Sequence, residues 1–245
     1  MATALVIIPT YNEKENIRNI ISAVLAQSEP FHILIVDDNS PDKTGDIVAG
    51  LIPEYEGRLH LLSRASKEGL GKAYIAGFKW GLDRGYKFLF EMDADFSHNP
   101  VDLLRLLDAC RHDGADAAVG SRYVKGGKVV NWPFNRLFLS YGASLYVRAL
   151  TWMPFKDPTA GFICYNSDVL KAIDLDSIEF VGYAFQIEMK YAVHKLGFKI
   201  VEVPITFTER TEGTSKMHKS IIKEAIQGVF RMRFSKGKST YDRRI

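Results

Sequence analysis

Short, near-continuous apolar runs alternate along this chain with longer amphipathic stretches. The runs Ala4–Ile8, His32–Val36, Leu59–Ser63, Lys87–Met92 and Ala117–Gly120 have strand length and are rich in Val, Ile, Leu and Phe. Being apolar at successive positions, they predict strands buried on both faces. Between them, Glu13–Ala26, Thr44–Leu51, Gly71–Asp83 and Val101–Arg111 carry apolar residues at helical spacing. Pro100 follows Asn99 at one helix start, where the missing proline N–H costs nothing. This β-α-β-α succession predicts a mostly parallel, Rossmann-like α/β sheet with helices on both faces.

The regularity breaks after Arg122. Gly126-Gly127 and Trp132-Pro133 mark an irregular loop, followed by an apolar-aromatic helix near Asn135–Thr151. Gly161–Tyr165 and Lys199–Val203 read as further strands, with a helix near Phe185–Leu196 between them. Glu209–Lys219 is polar and reads as a flexible loop. Lys219–Phe234 then places Ile221, Ile222, Ala225, Ile226, Val229 and Phe230 opposite Lys219, Lys223, Gln227 and Arg231, an amphipathic helix. Residues 1–209 are thus expected to form the main domain, with 210–245 a loop, helix and basic tail of the same structural unit.

Composition narrows the class. At 245 residues, with 47% apolar and 25% charged side chains, the chain suits one soluble α/β domain. No apolar stretch approaches the roughly 20 residues of a membrane-spanning helix. The first residues enter a strand without a basic, then apolar, leader, which argues against a secretory signal. Cys110 and Cys164 sit inside apolar segments and read as buried thiols of a reducing compartment. A cytoplasmic location is expected. The net charge of +3 is unevenly spread, because residues 210–245 carry ten Lys/Arg against three acids, leaving the first 209 at −4. A basic tail of this kind is either a solvated face or meets an anionic surface or ligand.

Candidate chemistry gathers where the apolar runs stop. Pro9-Thr10-Tyr11-Asn12-Glu13, Val36-Asp37-Asp38-Asn39-Ser40, Asp93-Ala94-Asp95 and Gly120-Ser121-Arg122-Tyr123 each follow a predicted strand. Ligands of open α/β sheets bind at the carboxyl ends of the strands, and acids there suit a divalent metal and ribose hydroxyls. Asp93 and Asp95, with Ser97 and His98 nearby, form a candidate oxygen shell for Mg2+ or Mn2+, although aspartates also cap helices and turns. No glycine-rich turn follows the first strand, so the pattern is nucleotide-binding but not dinucleotide-binding. Tyr11 can stack on a base, while Glu13 accepts hydrogen bonds or simply favours the helix dipole. The histidines show no zinc spacing, and aromatic residues are too sparse in the tail for nucleic-acid binding.

These segments resemble family 2 glycosyltransferases of the GT-A fold, and more narrowly the soluble-type dolichyl- or polyprenyl-phosphate mannose synthases. The likeness runs from Val6 to about Phe234. It adds Gly69-Leu70-Gly71-Lys72-Ala73, Asp157-Pro158-Thr159-Ala160-Gly161-Phe162, Gly182-Tyr183-Ala184-Phe185-Gln186-Ile187-Glu188 and the stretch from Glu202-Val203-Pro204-Ile205 to Lys216. The resemblance implies that Pro9, Tyr11, Glu13, Val36 and Asp38 hold the guanosine of GDP-mannose. Asp93 and Ala94 would lie against ribose and diphosphate, and Asp95 would ligate the metal. Arg122 and Arg136, together with Ser140, would receive the acceptor phosphate, and Arg210 and Lys216 would close over the donor. Many relatives carry Gln where this chain has Ser97. Glu188 occupies a region where relatives with sugar acceptors keep a base, which a phosphate nucleophile does not need.

The implied reaction is a single inverting displacement in which polyprenyl phosphate attacks the mannose of GDP-mannose. The implied setting is the cytoplasmic face of a membrane, engaged peripherally by the amphipathic helix and leaving room for a separate transmembrane partner. Two other readings of the same residues remain: a UDP-sugar-dependent polyprenyl-phosphate glycosyltransferase, and a nucleotide-sugar-binding module without turnover.

Overall fold

The computed structural model describes residues 3–55, 57–209 and 228–234. The five early runs form strands β1 (Ala4–Thr10), β2 (His32–Asp37), β3 (Leu59–Ser63), β4 (Phe88–Glu91) and β5 (Ala117–Ser121). Later strands are β6 (Lys128–Val130), β7 (Ile163–Asn166), β8 (Ile200–Pro204) and β9 (Thr206–Thr208). The main sheet has seven strands in the order β3-β2-β1-β4-β7-β5-β8, and only β7 runs against the rest. β6 and β9 pair in parallel as a separate ribbon.

Residues alternate sides along each strand, and here both sides are dry. Leu5 and Ile7 of β1 face a cluster built with Tyr74, Phe78, Phe185 and Val193. Ala4, Val6 and Ile8 face another, with Ile17, Ile20, Val24, Leu103 and Leu106. Helices α1 (Ile17–Leu25), α2 (Thr44–Leu51) and α4 (Asp102–Arg111) therefore cover one face. Helix α3 (Leu70–Asp83) covers the other with α5 (Phe134–Thr151), α6 (Ser167–Ala172) and α7 (Tyr183–Lys195). Close approach of α3 to β1 depends on Gly77, where a Cβ would come within 2.5 Å of Ile7 Cγ2.

The expected alternation is present, with three differences. Helix α1 starts four residues later than its apolar pattern suggests, because Glu13 O closes a turn with the amides of Asn16 and Ile17. Strand β7 is antiparallel, which an apolar run cannot reveal, since it is buried on both faces either way. The short β6, β9 and α6 have no periodic signal, and α6 is announced only by Asn166, whose side chain accepts the Asp168 amide. Residues 228–234 are helical. They seat Val229 and Met232 on the core and leave Phe230 and Phe234 exposed with rings 4.6 Å apart. The rest of the expected amphipathic helix and the basic tail lie outside the described residues.

Candidate active site

The parallel strands bring the predicted segments to one edge. Pro9 and Val36 are register partners on β1 and β2. Beyond them, the loop after β1 is tied to the loop after β2 through side chains. Asn12 N donates to Ser40 Oγ at 3.1 Å, Glu13 N to Thr44 Oγ1 at 3.0 Å and Lys14 N to Asp42 Oδ2 at 3.1 Å. Asn12 adopts φ 58°, a left-handed turn that asparagine tolerates. Tyr11 and Glu13 are thereby held at the sheet edge ahead of α1, not on it.

The two adjacent aspartates divide into different roles. Asp37 accepts from Thr10 Oγ1 at 2.8 Å, Ser40 Oγ at 2.6 Å and Ser40 N at 3.0 Å, so it is committed to holding the loops. Asp38 is buried, and its Oδ1 has Arg64 Nη1 at 3.3 Å but no aligned hydrogen bond. Burial raises its pKa, against the opposing pull of Arg64. A carboxylate that is held, dry and under-bonded is ready to accept hydrogen bonds from a ligand. Lys67 Nζ stands 4.3 Å from the Tyr11 ring centre on the same side of the site.

After β4 the chain turns sharply, with Phe96 at φ 60°. Asp95 and Ser97 are buried, Asp93 half-buried and Ala94 buried. Ser97 N donates to Asp95 Oδ1 at 3.1 Å. His98 Nδ1 accepts the Asp93 amide at 3.3 Å, which places the proton of its neutral ring on Nε2. His98 stacks on Phe162 at 4.8 Å, and burial takes its pKa down to about 4, with Asp95, Arg122 and Asp157 the charges that face it. Among the described residues no cluster of three or more His, Cys, Asp or Glu side chains exists that could enclose a metal. Two carboxylates beside a serine fit a hard cation that completes its shell with water and phosphate oxygens.

The arginines stand on the far side of this turn. Arg122, just past β5, donates through Nε to Asp157 Oδ2 at 2.8 Å and through Nη2 to Asp157 Oδ1 at 2.7 Å. Thr159 Oγ1 accepts a further bond at 2.8 Å, and the Arg122 amide also reaches Asp157 Oδ2, at 3.0 Å. The Arg122 guanidinium keeps Asp157 below the usual carboxylate range despite its burial. Arg136, on α5, pairs with Glu209 and lies 4.2 Å over the Trp132 ring. Arg122 approaches the same ring at 5.8 Å, so Trp132 joins the two cations. Ser140 Oγ accepts from the Tyr123 hydroxyl at 2.7 Å. The β6–β9 ribbon docks on the aspartate turn, where Thr208 N donates to Ser97 O at 3.3 Å.

The predicted residues within the described segments fall into two groups, one at the strand ends around Asp38 and the aspartate turn, the other around Arg122 and, on α5, Arg136 and Ser140. Arg210 and Lys216 lie outside the described residues. Sequence reasoning missed Asp157, Thr159, Glu209 and Glu202 as partners. Glu202 Oε1 takes Ser121 Oγ at 2.7 Å and Asp157 N at 2.9 Å, across about 80 and 45 residues respectively. Asp157 had a signal in its Asp-Pro-Thr turn. Trp132, marked in the sequence with Pro133 as part of an irregular loop, sits among the arginines. Glu188 Oε2 accepts the amides of Glu179 and Phe180 at 3.0 and 2.9 Å and so holds the loop ahead of α7. Cys110 and Cys164 are buried free thiols, as expected, with Cys110 Sγ 3.6 Å from Cys164 O.

Comparison with known proteins gives the family and the fold. The family model for glycosyl transferase family 2 matches residues 5–173. Polyprenol monophosphomannose synthase of Mycolicibacterium smegmatis is 53% identical over 91% of this chain and 83% of its own. Undecaprenyl-phosphate mannosyltransferase of Micrococcus luteus is 50% identical over 93% and 92%. The crystal structure of glucosyl-3-phosphoglycerate synthase from Mycobacterium tuberculosis, in complex with Mn2+, UDP-glucose and glycerol 3-phosphate, superposes with a TM-score of 0.69. It covers 97% of this chain and 82% of that one at 16% identity, a likeness of fold alone. The chain therefore belongs to glycosyl transferase family 2 and has its GT-A fold.

Proposed function

We propose that this chain is a polyprenyl-phosphate mannosyltransferase that uses GDP-mannose and a divalent cation, Mg2+ or Mn2+. The observation that carries the reading is 50–53% identity, over nine-tenths of the chain, to proteins named as polyprenol- and undecaprenyl-phosphate mannose transferases. Two arginines bracketing one aromatic ring, opposite an acidic turn, suit the same chemistry: a phosphate nucleophile on one side and a diphosphate leaving group on the other.

A lipid phosphate is anionic at neutral pH and needs no base, so catalysis rests on positioning and charge. Arg122, fixed by Asp157 and Thr159, and Arg136 with Ser140 receive the acceptor phosphate. Acceptor binding then replaces Glu209 as the anion on Arg136. Asp93 and Asp95, with Ser97 beside them, would hold the cation. When bound, it neutralises charge developing on the departing GDP. Pro9, Tyr11 and Glu13 line the nucleoside end, backed by Val36, which is fully buried in the sheet. Asp38 favours guanine, which offers two adjacent N–H donors to a carboxylate where uracil offers one. Arg210 and Lys216 would close on the diphosphate from the segment after Glu209.

The lipid reading extends to the surface. No helix among the described residues is long and apolar enough to cross a membrane. Phe134, Phe138, Tyr141 and Leu145 nevertheless form an exposed stripe on α5, and Trp152, Phe230 and Phe234 are exposed as well. An apolar stripe starting beside Arg136 and Ser140 suits a helix lying in the cytoplasmic headgroup layer, with the lipid phosphate at its polar end.

The test is incubation with GDP-mannose, UDP-glucose or UDP-N-acetylglucosamine, polyprenyl phosphate and Mg2+ or Mn2+, with and without chelator. Lipid-linked mannose from GDP-mannose alone, lost on chelation, is the expected result. Transfer from a UDP-sugar instead, or nucleotide binding without transfer, overturns the donor or the enzyme reading respectively.

A further inference from the structure

Lys190, on α7, is a fully buried lysine that the transfer chemistry leaves unused. It is 1% exposed. Its Nζ donates to Ala160 O at 2.6 Å and to Gln186 O at 2.7 Å. Glu91 and Asp157 favour its charge while Arg122 opposes it, and burial brings its pKa down to about 8. Removing an ammonium from water costs several kcal/mol, and a whole buried ion network is often matched or bettered in stability by apolar residues of similar volume, although removing one member alone strands the others. Fold stability is therefore a weak reason for keeping the set of Lys190, Glu91 and Asp157 as a whole.

The bond to Gln186 O stays within α7, but the bond to Ala160 O crosses to another element. Ala160 belongs to the turn whose Asp157 and Thr159 clasp Arg122. The Ala160 amide closes that turn on Asp157 O at 3.3 Å, and Phe162 O next in line accepts Gly120 N at 2.8 Å. Glu202 holds the turn from its other end through the amides of Lys156 and Asp157. Lys190 is thus the inner anchor of a three-sided mount for one guanidinium.

We propose that Lys190 is a positioning residue for the acceptor phosphate, fixing Arg122 through Ala160 and the Asp157–Thr159 turn. It touches no substrate. The inference rests on the reading of Arg122 as an acceptor-phosphate ligand. A phosphate held by a planar fork tolerates little misplacement, so a loosened turn should show in acceptor use and leave donor use unchanged.

The experiment compares full-length wild type, Lys190→Met, Lys190→Gln and Arg122→Lys in steady-state kinetics with GDP-mannose and polyprenyl phosphate, alongside thermal melts. Lys190→Met is expected to raise the KM for polyprenyl phosphate about tenfold, with the KM for GDP-mannose within twofold, and to lower the melting temperature, because buried Glu91 loses its neighbouring cation. Lys190→Gln, which keeps an N–H donor, should fall between it and wild type. If Arg122→Lys raises the acceptor KM and Lys190→Met does not, the inference about Lys190 fails alone. If Arg122→Lys leaves the acceptor KM unchanged, the acceptor reading fails and takes this inference with it. Equal loss for both substrates in Lys190→Met would also overturn it. Should Lys190→Met fail to fold, Lys190→Gln decides by the same criterion. Failure of both to fold would assign Lys190 to the fold and overturn the proposal.

Discussion

Replacing Asp157 by asparagine keeps the shape of the side chain and removes its charge from beneath Arg122. The wild-type pair is dry, with side chains 6% and 0% exposed, and joined by bonds of 2.8 and 2.7 Å. Breaking one side of such a pair leaves a buried guanidinium with no counter-charge from the turn, only the neutral asparagine oxygen and Thr159 Oγ1 as acceptors beside the rings of Tyr123, Trp132 and Phe207, at a cost of about 3–5 kcal/mol. For a chain of this size, with roughly 2–4 °C per kcal/mol, the melting temperature should fall by about 6–20 °C. Replacing both partners, as in Arg122→Met with Asp157→Leu, strands no charge and should recover most of that loss while abolishing acceptor use. The pH dependence has a definite sign. Arg122 depresses the folded pKa of Asp157, so the contribution of the pair is complete above the unfolded value near 4 and is lost as pH falls through the folded one. The stability gap between wild type and Asp157→Asn should therefore be constant from about pH 5 to 8 and close below about pH 4. Urea melts across pH and acceptor kinetics read both effects. A melting temperature within about 2 °C of wild type, or a gap that persists unchanged in acid, would refute the assigned role of the pair.

Other outcomes follow from the same geometry. Asp38→Asn should raise the KM for GDP-mannose by roughly 10–100-fold and narrow the preference over UDP-sugars, since hydrogen bonds to a charged acceptor contribute about 1.5–3 kcal/mol each; unchanged base preference in donor competition would count against it. Gly77→Ala should destabilise the fold by about 1–3 kcal/mol because its Cβ would overlap Ile7. Gly50→Ala, with nothing within 4 Å, should be neutral or stabilising by up to about 1 kcal/mol in the same urea melts. Burial lowers the pKa of both His32 and His60, so the stability they support is full above about pH 6.5 and is lost as pH falls below it. A urea midpoint that rises between pH 7.5 and 5.5 would contradict this.

The layers of the fold were legible because both faces of the sheet are buried, so that Leu34-Ile35-Val36 or Phe88-Leu89-Phe90 read as strands without tertiary information. The direction of β7 was not, since Ile163-Cys164-Tyr165 is equally apolar in either orientation. The loop ends at β1, β2 and β4 carry their candidate chemistry within a few residues, and Asp38, Asp93 and Asp95 could be picked out directly. Even there, only the hydrogen bonds of Thr10 and Ser40 separate structural Asp37 from the under-bonded Asp38. The group around Arg122 and Arg136 depends on pairs distant in sequence, Arg122 with Asp157 and Arg136 with Glu209, and on three-residue strands too short to show a period. A lone arginine after a strand reveals nothing about the acid that will hold it.

The central claim is that the acidic turn after β4 grips the departing diphosphate through a divalent cation. Crystals grown with GDP-mannose and Mn2+, measured at the manganese absorption edge, test it directly. The account predicts an anomalous peak beside Asp93 and Asp95, with the guanine against Asp38. A diphosphate bound elsewhere, or a peak remote from Asp93 and Asp95, would contradict it.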